Sequence, residues 1–132
     1  MNRLITLVSL VFTLGGAQAF ASSNCPIDTR QSKVVGPAVG KPMTKALNAV
    51  NESRVADAIE IMQQIETKHQ HEQAQIARNL ALMYLRLDRE VEAREQLAQA
   101  LKLDSLSGKR HAFALKQYAE LLAKDNQHSE AI

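Results

Sequence analysis

A run of 90 residues, from Met43 to Ile132, contains no proline and only one glycine, Gly108. Proline and glycine interrupt helices more strongly than any other residues, so their near absence favours helical structure. Apolar residues recur in this run at intervals of three and four positions, which is the period of an amphipathic helix. The sequence therefore predicts an all-α domain over residues 43–132.

Polar breaks divide this run into five predicted helices, near residues 43–50, 54–67, 72–87, 89–103 and 109–124. Ser53 and Asp88 are expected to cap the second and fourth helices, because their side-chain oxygens can accept hydrogen bonds from the first backbone N–H groups. The last four residues, "SEAI" from Ser129 to Ile132, are expected to begin a sixth helix.

The segment from Ala74 to Asp104 has the clearest pattern of a helical hairpin. Small residues recur where two paired helices would touch, and large apolar residues fill the space between them. These positions are Ala77, Ala81, Ala93 and Ala100 for the small set, and Leu80, Tyr84, Leu97 and Leu101 for the large set. A hairpin of this size cannot bury its apolar face alone, so we expect stacked copies.

In this segment "NLALMY" (79–84) and "EAREQLAQALKLD" (92–104) resemble the two helices of the tetratricopeptide repeat family. Weaker copies are "ADAIEIMQQI" (56–65) and "SEAI". Equating Ala58, Ala93 and Ala131 gives spacings of 35 and 38 residues, close to the family's period of about 34. The resemblance implies about 2.5 helical-hairpin repeats in a right-handed α-solenoid, with a groove lined by the first helix of each pair.

The N-terminus has the pattern of an export signal. Arg3 precedes an apolar stretch at 4–14, and two small-residue cleavage frames end at Ala19 and Ala21. The stretch is shorter than the roughly 20 apolar residues of a membrane span. We expect a signal peptide at residues 1–21, cleavage near Ala19 or Ala21, and an exported product without stable membrane insertion; an uncleaved anchor is the alternative.

Residues 22–42 contain three prolines and two glycines and have almost no helical period, which predicts an extended linker between the signal peptide and the helical domain. The linker also holds Cys25, the single cysteine, which cannot form an internal disulfide. Asn24 stands where a lipoprotein signal requires a small residue, so an incidental thiol is favoured. Lipid attachment, an intermolecular disulfide and a reactive thiol are the other interpretations.

The charge pattern argues against nucleic-acid binding. Removal of Arg3 with the signal peptide leaves 15 of the 16 basic residues against 14 acidic ones, and the two signs are interspersed.

His69 and His71 lie two positions apart and would point to different faces of a helix, which disfavours a metal site. No nucleophile has a recognisable motif around it. We expect no catalytic residue, cofactor or metal, and a thiol-dependent enzyme using Cys25 is only a weak alternative.

The outward side of the third helix is the candidate groove for a partner. Side chains that donate hydrogen bonds lie there beside an apolar side chain, and this combination can bind an extended peptide. The residues are Gln75, Arg78, Asn79, Leu82 and Arg86. The family's clamp for peptide carboxylates is disfavoured, because only Asn79 matches it and Phe113 and Gln117 stand where it needs basic residues.

A second candidate interface lies on the fifth helix, where Leu115, Tyr118 and Leu122 lack the helix that would cover them. We expect this open end to bind another copy, giving a homodimer, or another protein. A truncated reading frame is the alternative explanation.

The chain also resembles small periplasmic tetratricopeptide proteins that accompany TonB-type energy-transduction systems. The segments are "PAVGKPMTKALNAV", "QIARNLALMY" and "LSGKRHAFALKQYAELL". The resemblance implies a periplasmic accessory role beside TonB-type complex components. A general envelope assembly or chaperone adaptor is the competing interpretation.

Overall fold

The computed structural model describes residues 28–130, and this part of the chain is helical without any strand. The helices are α1 (Pro37–Asn51), α2 (Val55–Gln63), α3 (Gln70–Arg86), α4 (Glu90–Leu103) and α5 (Gly108–Glu130). The predicted all-α fold is confirmed for these residues. None of their helices is long and apolar enough to cross a membrane. The predicted signal peptide, both cleavage sites and Cys25 lie outside the described residues.

Each helix packs against the next one in the chain, and the pair α3 and α4 makes the most extensive contact. The core has two apolar clusters, one centred on α1, α2 and α3, the other on α3, α4 and the start of α5. The four alanines predicted to lie in the seam are all buried, as expected for helices that approach closely. Leu80, Tyr84 and Leu97 are buried beside them, and Leu101 is half-buried.

The first helix begins at Pro37, so the prediction that the linker extends to residue 42 is wrong. Pro37 suits the first turn, where a backbone N–H would have no helical partner. Pro42 lies inside the helix, where its missing N–H removes a hydrogen bond. The apolar face nevertheless continues back through it, because Val39 and Met43 are both buried. Tertiary burial therefore outweighs the local preference against a helix.

Ser53 and Asp88 do not act as the predicted N-caps. Both have left-handed backbones, with φ of 63° and 56°, and both follow the end of the preceding helix. The next residue donates its N–H to the carbonyl five positions earlier, over 2.8 Å for Arg54 and 3.0 Å for Arg89. This is the hydrogen bond that ends helices in a Schellman motif. α2 and α4 begin without a side-chain cap.

The turns before α2 and α4 share an ion pair and a buried alanine in addition to their backbone conformation. In each, the arginine pairs with an acid three residues later, over 3.1 Å between Arg54 and Asp57 and 2.6 Å between Arg89 and Glu92. The next residue in both helices, at positions 58 and 93, is a fully buried alanine. Residues 53–58 and 88–93 therefore form one structural unit twice, 35 positions apart.

The fifth helix runs unbroken through Ser129, so the prediction that "SEAI" begins a sixth helix is wrong for its described residues. The Ser129 hydroxyl donates to the Asp125 carbonyl at 3.1 Å within the same helix. After Gly108 the segment contains neither proline nor glycine, so nothing in it ends the helix at the predicted boundary.

Residues 28–36 form neither helix nor strand, and we call them the strap. They are bound to the helices by hydrogen bonds. Their hydrogen bonds join Gly108 N to Arg30 O (2.9 Å), Gln75 Nε2 to Lys33 O (3.4 Å), His71 Nε2 to Val34 O (3.1 Å) and Gly36 N to Glu72 Oε1 (2.8 Å). The strap therefore connects the starts of α1, α3 and α5.

Candidate functional site

An open groove of about 700 Å³ lies between α3 and α5. We call it the α3–α5 groove. Helical positions three, four and seven apart share a face, which explains why one side of α5 supplies most of its lining. The lining consists of Arg78 from α3 and Lys109, Arg110, Ala112, Phe113 and Lys116 from α5.

Two guanidinium groups meet in this groove without an acid between them. Burial lowers the pKa of Arg78, and the positive charge of Arg110 lowers it further. The Arg78 Nε is buried and has no hydrogen-bond partner within residues 28–130. Among the residues that the structure describes, Arg110 reaches one neutral acceptor, the Gln75 Oε1, at 3.5 Å. The pair is therefore electrostatically unsatisfied and suited to an anion.

The rest of the lining adds more positive charge and one aromatic ring. Lys109 is exposed and has no ion pair in the described part of the chain. The Lys116 ammonium lies 3.9 Å from the Glu120 carboxylate, and both side chains are well exposed, so this ion pair is weak. The Phe113 side chain is 47% exposed. The groove can therefore bind an anionic group and an apolar group side by side.

The residues predicted on α3 are distributed along this groove and beyond it. Gln75 and Arg78 lie next to Arg110 of α5, so the structure brings these two together. Asn79 and Leu82 are half-buried further along α3, and the exposed Arg86 ends that helix. The structure assigns these three residues no ion pair or side-chain hydrogen bond, and their predicted role in binding stays a prediction.

One end of the predicted groove is already occupied by the strap. Gln75 and His71 both contact backbone carbonyls of the strap, which lies against the start of α3. These are the contacts through which an extended peptide is bound by its main chain. The free part of the surface therefore begins at Arg78 and continues toward Arg86.

The three residues of the predicted open end of α5 differ in exposure, and their role as an interface stays a prediction. Leu115 is 48% exposed and Leu122 is 38% exposed, and their spacing of seven residues places both on one face. Tyr118 is half-buried and packs against the second apolar cluster with its alanines. The exposed apolar face consists of the two leucines, whereas Tyr118 contributes to the core.

Glu72 is the one buried charged residue that residues 28–130 contain, with 4% of its surface exposed. Its carboxylate accepts hydrogen bonds from the Thr67 hydroxyl and from the Gly36 N–H. These bonds, the Thr67 bond first, lower the pKa of Glu72 against the opposing effect of burial. Because both oxygens are engaged, Glu72 has a structural role in joining the strap to α3.

No group of three or more histidine, cysteine, aspartate or glutamate side chains within residues 28–130 could hold a metal ion. The rings of His69 and His71 lie 5.8 Å apart between centroids, and His71 is engaged by the strap. The expectations of no catalytic residue, no cofactor and no metal stay predictions.

Sequence reasoning missed the three cations that α5 contributes to the groove. The signal was present in "KRHAFALK", where Lys109, Phe113 and Lys116 have helical spacing on one face. The leucines on another face of the same helix were the stronger apolar signal, and only the packing of α5 shows which side meets α3.

A comparison with known protein families, curated proteins and solved structures found no match.

Proposed function

We propose that this protein is a non-enzymatic scaffold of the cell envelope, built from tetratricopeptide-like helical hairpins, that binds a protein or peptide partner. In this proposal α1 with α2 and α3 with α4 are two hairpins, and α5 is the first helix of a third. Support comes from the unit at residues 53–58 that recurs at residues 88–93 with the same turn, ion pair and buried alanine.

The observation that carries the proposal is the α3–α5 groove. It places Arg78 and Arg110 beside the exposed ring of Phe113, with no acid in its lining. Arginine and aromatic side chains are enriched in the energetically dominant parts of protein interfaces. The neighbouring residues Asn79, Leu82 and Arg86 would extend the contact along α3.

In this proposal the protein is periplasmic and its partner is a component of a TonB-type complex. The support is the export-signal pattern at residues 1–21 and the resemblance of three segments to periplasmic proteins of that kind. A general assembly or chaperone adaptor would use the same groove and would differ in having many partners.

The exposed leucines of α5 favour a second contact surface. Leu115 and Leu122 leave apolar area in water that a second copy of the chain could cover. A homodimer through this face would leave the α3–α5 groove accessible, because Phe113 and Lys116 project from a different side of the helix.

Site-specific photocrosslinking in intact cells tests both surfaces. A photoreactive amino acid would replace Leu82 beside the groove, Leu115 on the exposed face, or Glu60 on α2 as a control. We expect the Leu82 variant to crosslink to a TonB-type component and the Leu115 variant to crosslink to a second copy of the chain. The exposed Glu60 position should give neither product.

The alternatives predict different products. Crosslinking of Leu82 to many unrelated envelope proteins would favour the general adaptor. Crosslinking of Leu82 and Leu115 at only the level of Glu60 would contradict the scaffold proposal. Recovery of the protein in the cytoplasmic fraction would contradict its placement in the envelope.

A further inference from the structure

The positive charge of the α3–α5 groove is local, and within residues 28–130 the weak Lys116–Glu120 pair is the one ion pair that its lining makes. The whole sequence is nearly balanced, with 16 basic and 14 acidic residues, yet the groove is lined by four cations and no acid. In the part of the chain that the structure describes, no ion pair joins an acid to Arg78, Lys109 or Arg110. Residues 1–27 and 131–132 contain no aspartate or glutamate side chain.

Arg78 is the cation of the groove that this excess of positive charge destabilises most. Its guanidinium is half-buried next to that of Arg110, and its Nε has lost water without gaining an acceptor. Two like charges in this position repel each other, whereas a carboxylate between them would be bound by charge-assisted hydrogen bonds from both sides. The geometry therefore favours an anionic ligand over a neutral one.

The spread of the cations shows that one carboxylate is not enough. Lys109 and Lys116 are seven residues apart on α5, which corresponds to about 10 Å along a helix. An extended peptide places side chains on one face every second residue, about 7 Å apart. Two or three carboxylates along such a segment would meet the row of cations, and the exposed Phe113 between the two lysines would meet an apolar side chain.

We propose that the α3–α5 groove binds an extended acidic segment of the partner protein, in which at least two carboxylate side chains flank an apolar residue. This inference rests on the proposed function and specifies the chemistry of its ligand. The segment lies beyond Gln75, because the side-chain amide of Gln75 already donates to the Lys33 carbonyl of the strap. Phosphates of a nucleic acid would meet the same cations and are the competing ligand.

Fluorescence anisotropy with the full-length chain tests the inference. The probe is a labelled peptide in which glutamate and phenylalanine alternate at every second position with serine between them, so that both types share one face of an extended chain. It is blocked at both ends so that only side-chain carboxylates are charged, and its matched control has glutamine for every glutamate. We expect the glutamine peptide to bind at least tenfold more weakly. Affinity for the glutamate peptide should also fall as salt is raised, because exposed charges are screened within about 8 Å at 0.15 M.

Matched variants place the binding in the groove. Lys116→Glu should weaken binding of the glutamate peptide at least tenfold, whereas Lys102→Glu should change it less than twofold, because Lys102 is exposed on α4 outside the groove. Arg78→Gln should weaken it comparably, with circular dichroism to verify folding. The exposed position of Lys116 keeps the test valid if the half-buried Arg78 does not tolerate substitution.

Equal affinity for the glutamate and glutamine peptides, or equal effects of Lys102→Glu and Lys116→Glu, would overturn the acidic ligand while leaving a peptide-binding scaffold intact. Tighter binding of a thymidine oligonucleotide than of the glutamate peptide would overturn it in favour of phosphate. Failure of both peptides to bind would also overturn it, and the crosslinks from Leu82 would then decide whether the scaffold proposal survives.

Discussion

Glu72 connects segments that are far apart in the sequence, since its carboxylate binds Thr67 before α3 and Gly36 before α1. These bonds favour the charged form and lower its pKa in the folded protein. A lowered pKa stabilises the fold above the unfolded value of about 4.3, and this stabilisation is lost as the pH falls through the folded value.

Glu72→Gln keeps the shape of the side chain and removes its charge. We expect the variant to be less stable than the wild type at pH 7, with a difference that shrinks progressively below about pH 4.3. Urea unfolding followed by circular dichroism between pH 7 and pH 3 measures this difference. Glu95→Gln is the control, because Glu95 is exposed on α4. A wild-type advantage over Glu72→Gln that stays constant with pH would contradict the assigned role.

The seam alanines could be predicted from the sequence, whereas Glu72 could not. Ala77 and Ala81 have a helical spacing that is visible without knowledge of the fold. The partners of Glu72 come from two loops whose positions depend on how α1 and α2 pack. A glutamate in the first turn of a helix is an ordinary surface residue until those loops are placed.

At the scale of elements, α1 shows that burial of an apolar face can keep a helix intact although it contains an internal proline. Pro42 lies inside the helix and cannot donate to the Ala38 carbonyl. Pro42→Ala restores this donor but increases the freedom of the unfolded chain, which offsets about 0.4–1 kcal/mol of the gain. We expect a net increase in the free energy of unfolding of about 1–2 kcal/mol, measured by urea denaturation.

Pro37→Ala is the matched control for Pro42→Ala in the same helix. Pro37 occupies the first turn, where its missing N–H removes no helical hydrogen bond. Its replacement should leave stability unchanged or lower it by up to about 1 kcal/mol, since only the unfolded chain gains freedom. If both replacements had the same effect, the helix would not extend through Pro42 in solution.

All five helices could be predicted, although α1 begins six residues before its predicted start and α5 continues six residues past its predicted end. Two further boundary residues were misinterpreted. Ser53 and Asp88 were expected to begin helices, yet they adopt the left-handed conformation that follows a helix end. Short polar residues are favoured at N-caps, and some of them also tolerate the left-handed conformation. The sequence cannot separate these two possibilities when the turn contains only two or three residues.

At the scale of the whole molecule, one side of the groove could be predicted and the other could not. Arg78 was identified because α3 has a single dominant apolar face, so its outward side is defined. The helix α5 presents leucines on one side and a buried alanine, Ala114, on another. The packing of α4 and the position of the strap determine which side of α5 faces α3. Neither can be predicted from the spacing of apolar residues within α5 alone.

The contact between the strap and Gly108, the first residue of α5, can be tested by mutation. Gly108 lies so close to the strap that an added Cβ would come within 1.9 Å of the Asp28 carbonyl oxygen. Gly108→Ala should therefore displace the strap and lower the free energy of unfolding by about 1–3 kcal/mol, as overpacking does elsewhere. Loss of hydrogen-exchange protection at residue 108 would accompany it, because its N–H donates to Arg30.

Gly40→Ala is the matched substitution on α1, since a Cβ there would meet only the Val35 Cγ1, at 3.9 Å. The same chemical change should raise the free energy of unfolding by about 0.4–1 kcal/mol, because alanine favours the helix and restricts the unfolded chain. Opposite signs for the two substitutions would establish that the strap is docked in solution. A stabilising Gly108→Ala would show instead that residues 28–30 leave the start of α5.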